Sequence, residues 1–174
     1  MGPSFGAAAH WLCEAASIGV HESGSATASQ DKRQTSLVPD EWGAQATPRL
    51  ANKVIEKVRE VTDKPISHVV LTHYHAVRVL GASAYGADQI IMGEAARGMV
   101  MERGQEDWDS EFQRFPRLFE GYESISGLTY PTTTFNDSMT IYLGKRRVDL
   151  MHLGRAHTAG DIVAHVTDEN VMFT

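Results

Sequence analysis

Two histidines, two positions apart, directly follow a short apolar run. The run Val69-Val70-Leu71 is rich in β-branched residues and is preceded by Pro65, which predicts a short buried strand. His73 and His75 lie just past its end. Neutral imidazole is the commonest metal ligand in proteins, and α/β folds place their chemistry in loops at strand ends. The pair indicates a metal site, with two ordinary loop histidines as the alternative.

A third histidine lies in a loop bracketed by glycines. Gly154 and Gly160 flank His157, and Asp161 follows. Glycines on both sides let such a loop fold tightly, which would bring the His157 ring into a site built at another strand end. Cys13 is the only cysteine, so an intrachain disulfide is excluded and any metal site must be built from histidines and carboxylates.

The composition is that of an ordinary globular domain. The chain has 174 residues, of which 42% are hydrophobic and 22% charged. Its formal charge of -6 argues against nucleic acid or an anionic membrane as a partner. No stretch approaches the roughly 18 apolar residues of a membrane span. The first 20 residues lack a basic start and include Glu14, so a signal peptide is not expected and a cytoplasmic location is.

The segment before residue 45 carries little pattern. Residues 7–20 are compatible with a short helix, and residues 21–36 are rich in Ser, Gly, Thr and charge, which predicts a flexible tail. Structure is expected to begin at Thr47-Pro48, a good helix start. The apolar residues of this helix share one face: Leu50, Val54, Ile55, Val58 and Val61.

A helix that leads into a buried strand is the repeating unit of an α/β protein. Downstream, the pattern predicts a helix over 79–85, a strand over 89–92, a helix over 94–103, an amphipathic helix or lid over 104–121 and an extended linker over 131–134. A β-hairpin is predicted from 139–143 and 148–151, turning at Gly144-Lys145, with further strands at 162–166 and 171–173.

Three segments together carry a family resemblance. The sequences VVLTHYHA, GRAHTAGDIVAHV and VMFT, in this order, resemble the metallo-β-lactamase fold superfamily from about Ala46 to Thr174. The resemblance implies an α/β fold of the four-layer α+β type, an αββα sandwich over residues 45–174 that is incomplete at both ends, with residues 1–44 as a flexible or divergent segment. It also implies hydrolysis of an ester, thioester, amide or phosphodiester by zinc-bound hydroxide, although some family members are redox enzymes.

The resemblance assigns His73, His75 and His157 to one metal ion, expected to be zinc, with iron or manganese as alternatives. Two positions depart from the family motif. Val77 stands where the motif has an aspartate that holds a second metal and orients the nucleophile, and Arg78 places a permanent cation beside it. At most one metal ion is therefore expected.

The remaining candidates have weaker support. Asp161 and Tyr74 are the candidate catalytic residues, but loop shaping is favoured for Asp161, and packing is weighed equally with substrate contact for Tyr74. The other histidines of the domain are expected to be structural: His68, His152 and His165. The predicted function is a metallo-hydrolase acting on a small molecule, with a non-catalytic binding or scaffold module as the alternative. Self-association through an open C-terminal sheet edge is also expected.

Overall fold

The structure is a computed structural model that describes the backbone of Leu12–Glu14 and residues 44–174. Its first sheet contains four parallel strands in chain order: β1 (Leu12–Glu14), β2 (His68–Leu71), β3 (Gln89–Gly93) and β4 (Thr133–Phe135). In a parallel sheet the carboxyl ends of neighbouring strands share one edge. The end of β2, which leads into His73 and His75, therefore lies beside the end of β3.

The second sheet is antiparallel. Its strands are β5 (Ser138–Leu143), β6 (Arg146–Met151), β7 (Val163–Val166) and β8 (Val171–Phe173), again in chain order. Leu143 pairs with Arg146, so Gly144 and Lys145 form the predicted two-residue turn, and Gly144 has the positive φ of 67° that this turn requires. Alternate residues of each strand point into the core.

The helices pack against the first sheet. They are α1 (Pro48–Val61), the single-turn α2 (Ala76–Val79) and α3 (Glu94–Arg114). Short 3₁₀ turns occupy Ala82–Tyr85, Pro116–Leu118 and Tyr122–Ser124. Thr47 begins α1 as predicted: its buried hydroxyl accepts a hydrogen bond of 3.1 Å from the Leu50 N–H and donates one to the Glu120 carbonyl.

Two core clusters lie on opposite faces of the first sheet: a helix-side core cluster, and a second cluster between the two sheets. On one face, Val69 and Leu71 of β2 pack with Ala51 and Val54 of α1 and with residues of α3. On the other face, Val70, Ile91 and Phe135 pack against the inner residues of the second sheet: Ile141, Val148, Leu150 and Ala164. No helix of the described residues contributes to this second cluster, so the described layers run helices, first sheet, second sheet. Three layers of the expected αββα sandwich are confirmed.

Four predictions of local structure need correction. Leu12–Glu14 is a strand rather than part of a helix over 7–20, because it pairs with β2; the remaining residues of that helix and of the predicted tail lie outside the described residues, apart from Ala44. Residues 133 and 134 of the supposed linker belong to β4, whose Phe135 is buried between the sheets. The helix over 79–85 is instead α2 followed by a 3₁₀ turn, and α3 runs without a break through Gly104, where the absence of a side chain admits Leu128.

None of the helices in residues 44–174 is both long and apolar enough to cross a membrane.

Candidate metal centre

The site lies where the two sheets meet. His73 and His75 follow the end of β2, and His157 lies in the connection between β6 and β7. The backbone N–H of Ile162 donates a hydrogen bond of 2.9 Å to the carbonyl of Thr72, which joins this connection to the end of β2. That contact brings the third histidine, 82 residues along the chain from His75, to the first two.

The His157 loop is held in shape by local contacts. Asp161 accepts a hydrogen bond of 2.9 Å from the Thr158 N–H and a second one from its hydroxyl. Gly160 lies against the start of α3, so closely that a Cβ there would come within 2.2 Å of the Ala96 backbone nitrogen. The glycine is therefore required for close approach, and it sets how near the loop can come to the end of β3.

The three imidazole rings converge. One ring nitrogen from each of His73, His75 and His157 lies within 4.8 Å of the others. Nε2 of His157 is 3.2 Å from Nδ1 of His75. Zinc bonds to histidine nitrogen of about 2.0–2.1 Å in a tetrahedral arrangement require ligand nitrogens about 3.3 Å apart. The donor set fits a metal ion, because three imidazole nitrogens converge and one pair already has about this separation.

Neighbouring groups select the nitrogen that His73 and His75 offer. Nδ1 of His73 lies 3.1 Å from the Thr72 hydroxyl, which leaves its Nε2 for the site. Nδ1 of His75 faces His157, and its Nε2 points away, 3.9 Å from the Asp107 carboxylate. The ring nitrogen that does not face the site therefore lies near a hydroxyl group in His73 and near a carboxylate in His75.

Burial keeps the first two rings neutral. It lowers the pKa of His73 to about 4, with His75 adding to the effect and Asp161 opposing it. Burial also lowers the pKa of His75, against the attraction of Asp107. Burial pushes the pKa of Asp161 upward, but the hydrogen bonds from Thr158 outweigh this and the pKa is lowered. Near neutral pH His73 and His75 are unprotonated beside the ionised carboxylate of Asp161, which suits a cation.

Solved structures share this arrangement of sheets and helices. A metallo-β-lactamase from Pontibacter korlensis superposes with a TM-score of 0.53 at 16% identity, over 74% of this chain and 50% of that one. A metallo-β-lactamase from Hirschia baltica gives 0.51 at 16% identity, over 74% and 49%. A double mutant of the sec-alkyl sulfatase PisA1 gives 0.56 at 12% identity, over 75% and 25%. This chain has a metallo-β-lactamase fold. It spans about half the length of the two metallo-β-lactamases. No family model matches it.

Val77 stands at the position where the resemblance expects an aspartate. Its side chain packs against the helix-side core cluster, and its N–H donates a hydrogen bond of 2.9 Å to Glu111. Valine offers no ligand atom. Arg78 is half-buried on the same turn, and its charge contributes to the lowered pKa of His73. Position 77 therefore supplies nothing for a second metal ion.

Two carboxylates next to the site were not identified from the sequence. Asp107 and Glu111 lie one turn apart on α3, and both are buried. They accept hydrogen bonds from the backbone N–H groups of Ala76 and Val77, the residues after the histidine pair. A signal for them exists, because the buried stripe of α3 that begins at Ala96, Val100 and Gly104 continues at helical spacing onto these two acids.

The remaining candidate residues lie around the site with different surroundings. Tyr74 is 6% exposed and packs in the helix-side core cluster, where burial raises the pKa of its hydroxyl. Asp161 shapes the His157 loop. His152 reaches the Ala159 carbonyl of that loop at 3.1 Å, and His165 lies on β7 with Asn170 as its partner. His68 begins β2 beside the Ser67 hydroxyl. Among the described residues, none of these three histidines joins the metal triad of His73, His75 and His157.

Proposed function

We propose that this chain binds one zinc ion through His73, His75 and His157 as part of a metallo-hydrolase. The convergence of three imidazole nitrogens within 4.8 Å, at the junction of two sheets in a metallo-β-lactamase fold, supports the proposal most directly. A bound zinc ion would lower the pKa of a water molecule at its open position and so supply a nucleophile for an ester, thioester or amide bond. The similar structures include metallo-β-lactamases and a sulfatase, which accords with hydrolysis of a small molecule.

The residues around the ring nitrogens have defined parts in this proposal. The Thr72 hydroxyl orients His73, and the hydrogen bonds of Asp161 hold the His157 loop against the end of β2. Asp161 also lowers the local potential next to His73, which favours a cation. The predictions of a small-molecule substrate and of a cytoplasmic location stay predictions.

Metal titration of the purified chain tests the site. We expect one equivalent of zinc per chain, because three histidines complete one open tetrahedral site and Val77 removes the second. His157→Ala should lose most of this affinity. His165→Ala is the matched control, since this histidine lies on β7 outside the triad. Two equivalents of similar affinity, or unchanged binding by His157→Ala, would contradict the assignment.

Val77 favours a second candidate function, a non-catalytic binding or scaffold module. Hydrolysis needs a nucleophile that is both activated and positioned, and positioning is worth several orders of magnitude in rate. If this second function holds, the chain hydrolyses ester, thioester and β-lactam substrates weakly or not at all, because valine stands in place of the aspartate. Steady-state assays with zinc-loaded chain, and His157→Ala as the background, measure this. Robust turnover above that background would reject the non-catalytic function.

A further inference from the structure

The carboxylate of Asp107 makes two separate contacts. Its Oδ2 accepts a hydrogen bond of 2.8 Å from the Ala76 N–H. Its Oδ1 lies 3.9 Å from Nε2 of His75, within ion-pair distance. The side chain is only 9% exposed. A buried carboxylate requires compensating partners, and the second of these two is a ring of the proposed metal site.

Helix capping accounts for only one of the two contacts. His75 is the N-cap residue of α2, but its side chain makes no capping hydrogen bond. The free N–H groups at the start of α2 are satisfied from α3 instead, by Asp107 for Ala76 and by Glu111 for Val77. Glu111 thus caps in the same way as Asp107, yet among the described residues it forms no ion pair with the triad.

The orientation of the His75 ring explains the contact between its Nε2 and Asp107. Nδ1 is the nitrogen that faces His157, so Nε2 carries the proton when Nδ1 offers its lone pair. Histidine ligands usually donate their second N–H to a carboxylate or carbonyl, which fixes the tautomer and the ring orientation. The Asp107 carboxylate lies on this side of the ring.

We propose that Asp107 is a positioning residue for the metal site: it orients the His75 ring and selects the tautomer whose Nδ1 is free to bind the metal. The inference rests on the proposed function, since it concerns the same site. The carboxylate comes from α3, an element separate from the segment that carries His73 and His75.

Zinc affinity by chelator competition, and the visible spectrum of the cobalt-substituted chain, test the role. Asp107→Asn keeps the size of the side chain and an acceptor for the Ala76 N–H, but it removes the charge that faces His75. We expect a loss of about 10- to 100-fold in zinc affinity and a shifted cobalt band. Glu111→Gln is the matched control, because it alters the neighbouring cap without touching His75, and its affinity should stay near the wild-type value.

The outcomes separate the two proposals. If the wild-type chain binds zinc and Asp107→Asn binds it equally well with an unchanged cobalt spectrum, the role of Asp107 is wrong and the triad stands. An equal loss in both variants would assign Asp107 to capping alone. Failure of the wild-type chain to bind zinc would overturn the metal site and this role together.

A measurement on the wild-type chain covers the case in which Asp107→Asn does not fold. Long-range proton–nitrogen NMR of the zinc-loaded chain reports which ring nitrogen of His75 is protonated. A proton on Nε2, protected from exchange, is the expected result. Protonation of Nδ1, or a rapidly exchanging Nε2 proton, would overturn the proposed contact.

Discussion

Glu111 is a buried acid whose ionisation opposes folding. Burial raises the pKa of its carboxyl group, and the nearby Asp107 charge adds to the effect, while the Val77 N–H opposes it. The folded chain therefore holds this proton at pH values where the unfolded chain has released it. The stabilisation is fully present below the unfolded value of 4.5 and is lost as pH rises through the folded pKa.

Glu111→Gln should remove this dependence, since glutamine still accepts from Val77 but does not ionise. We expect the metal-free variant to gain stability relative to the wild-type chain as pH rises from 4 to 8. Urea denaturation of both proteins across this range measures the difference. If the difference in unfolding free energy between the two proteins stays constant with pH, ionisation of Glu111 does not destabilise the fold.

The metal triad and its carboxylates differ in how well the sequence reveals them. His73 and His75 follow a recognisable strand, and His157 lies between glycines, so each carries a local signal. Asp107 and Glu111 look like ordinary acids of a solvated helix. Helical spacing places them on the same face of α3 as Ala96, Val100 and Gly104, but only the packing of α3 shows that this face is turned inward. Composition and spacing therefore identify the three ligands, whereas the two buried carboxylates beside the site are recognised only once α3 is packed.

The loop between β6 and β7 depends on one glycine at the element scale. A Cβ on Gly160 would meet the Ala96 backbone nitrogen at 2.2 Å and its Cα at 2.5 Å. Because helix backbone cannot yield cheaply, the loop must move, and His157 moves with it. We expect Gly160→Ala to lose about 1–3 kcal/mol of stability and to bind zinc less tightly, as measured by thermal melting and chelator competition.

Gly98→Ala is the control for this substitution. Gly98 lies within α3, and a Cβ there meets no heavy atom within 4 Å. The same change should stabilise the helix by roughly 0.5–1 kcal/mol and leave zinc affinity unchanged. Wild-type zinc affinity in Gly160→Ala would mean that the loop can retreat from α3 without displacing His157.

Some secondary-structure elements can be predicted from the sequence better than others. Thr47-Pro48 and Gly144-Lys145 mark a helix start and a hairpin turn through local chemistry, and both are confirmed. The parallel strands β1 and β4 were missed, because each is three residues long and gains its stability from pairing with a neighbour that is distant along the chain. Local pattern predicts caps and turns well, but it predicts short parallel edge strands poorly.

At the scale of the whole molecule, β8 lies at an edge of the second sheet as far as residues 12–14 and 44–174 show. Its inner edge pairs with β7, and among the described residues no strand pairs with its other edge. Val171 and Phe173 are partly exposed there, and Met172 is 53% exposed. Unpaired apolar edges recruit other strands. We therefore expect concentration-dependent self-association of the isolated chain, measured by sedimentation velocity.

Met172→Lys should weaken this association, because a charge at an edge strand disfavours strand addition. Met101→Lys is the matched control, since Met101 is 59% exposed but lies on α3, in a different layer. A monomer at every concentration, or an equal effect of both substitutions, would rule out β8 as the contact.

The triad also has a consequence for the order of events in folding. His75 and His157 are 82 residues apart and lie in loops that follow strands of different sheets, and the Ile162–Thr72 hydrogen bond joins these loops at the same point. A complete set of three rings exists only after the two sheets have docked, and such distant contacts form late on a folding pathway. Capture of the ion would then follow the rate-limiting barrier. Binding of the ion would leave the folding rate unchanged and slow the unfolding rate, so the ion would stabilise the native state kinetically.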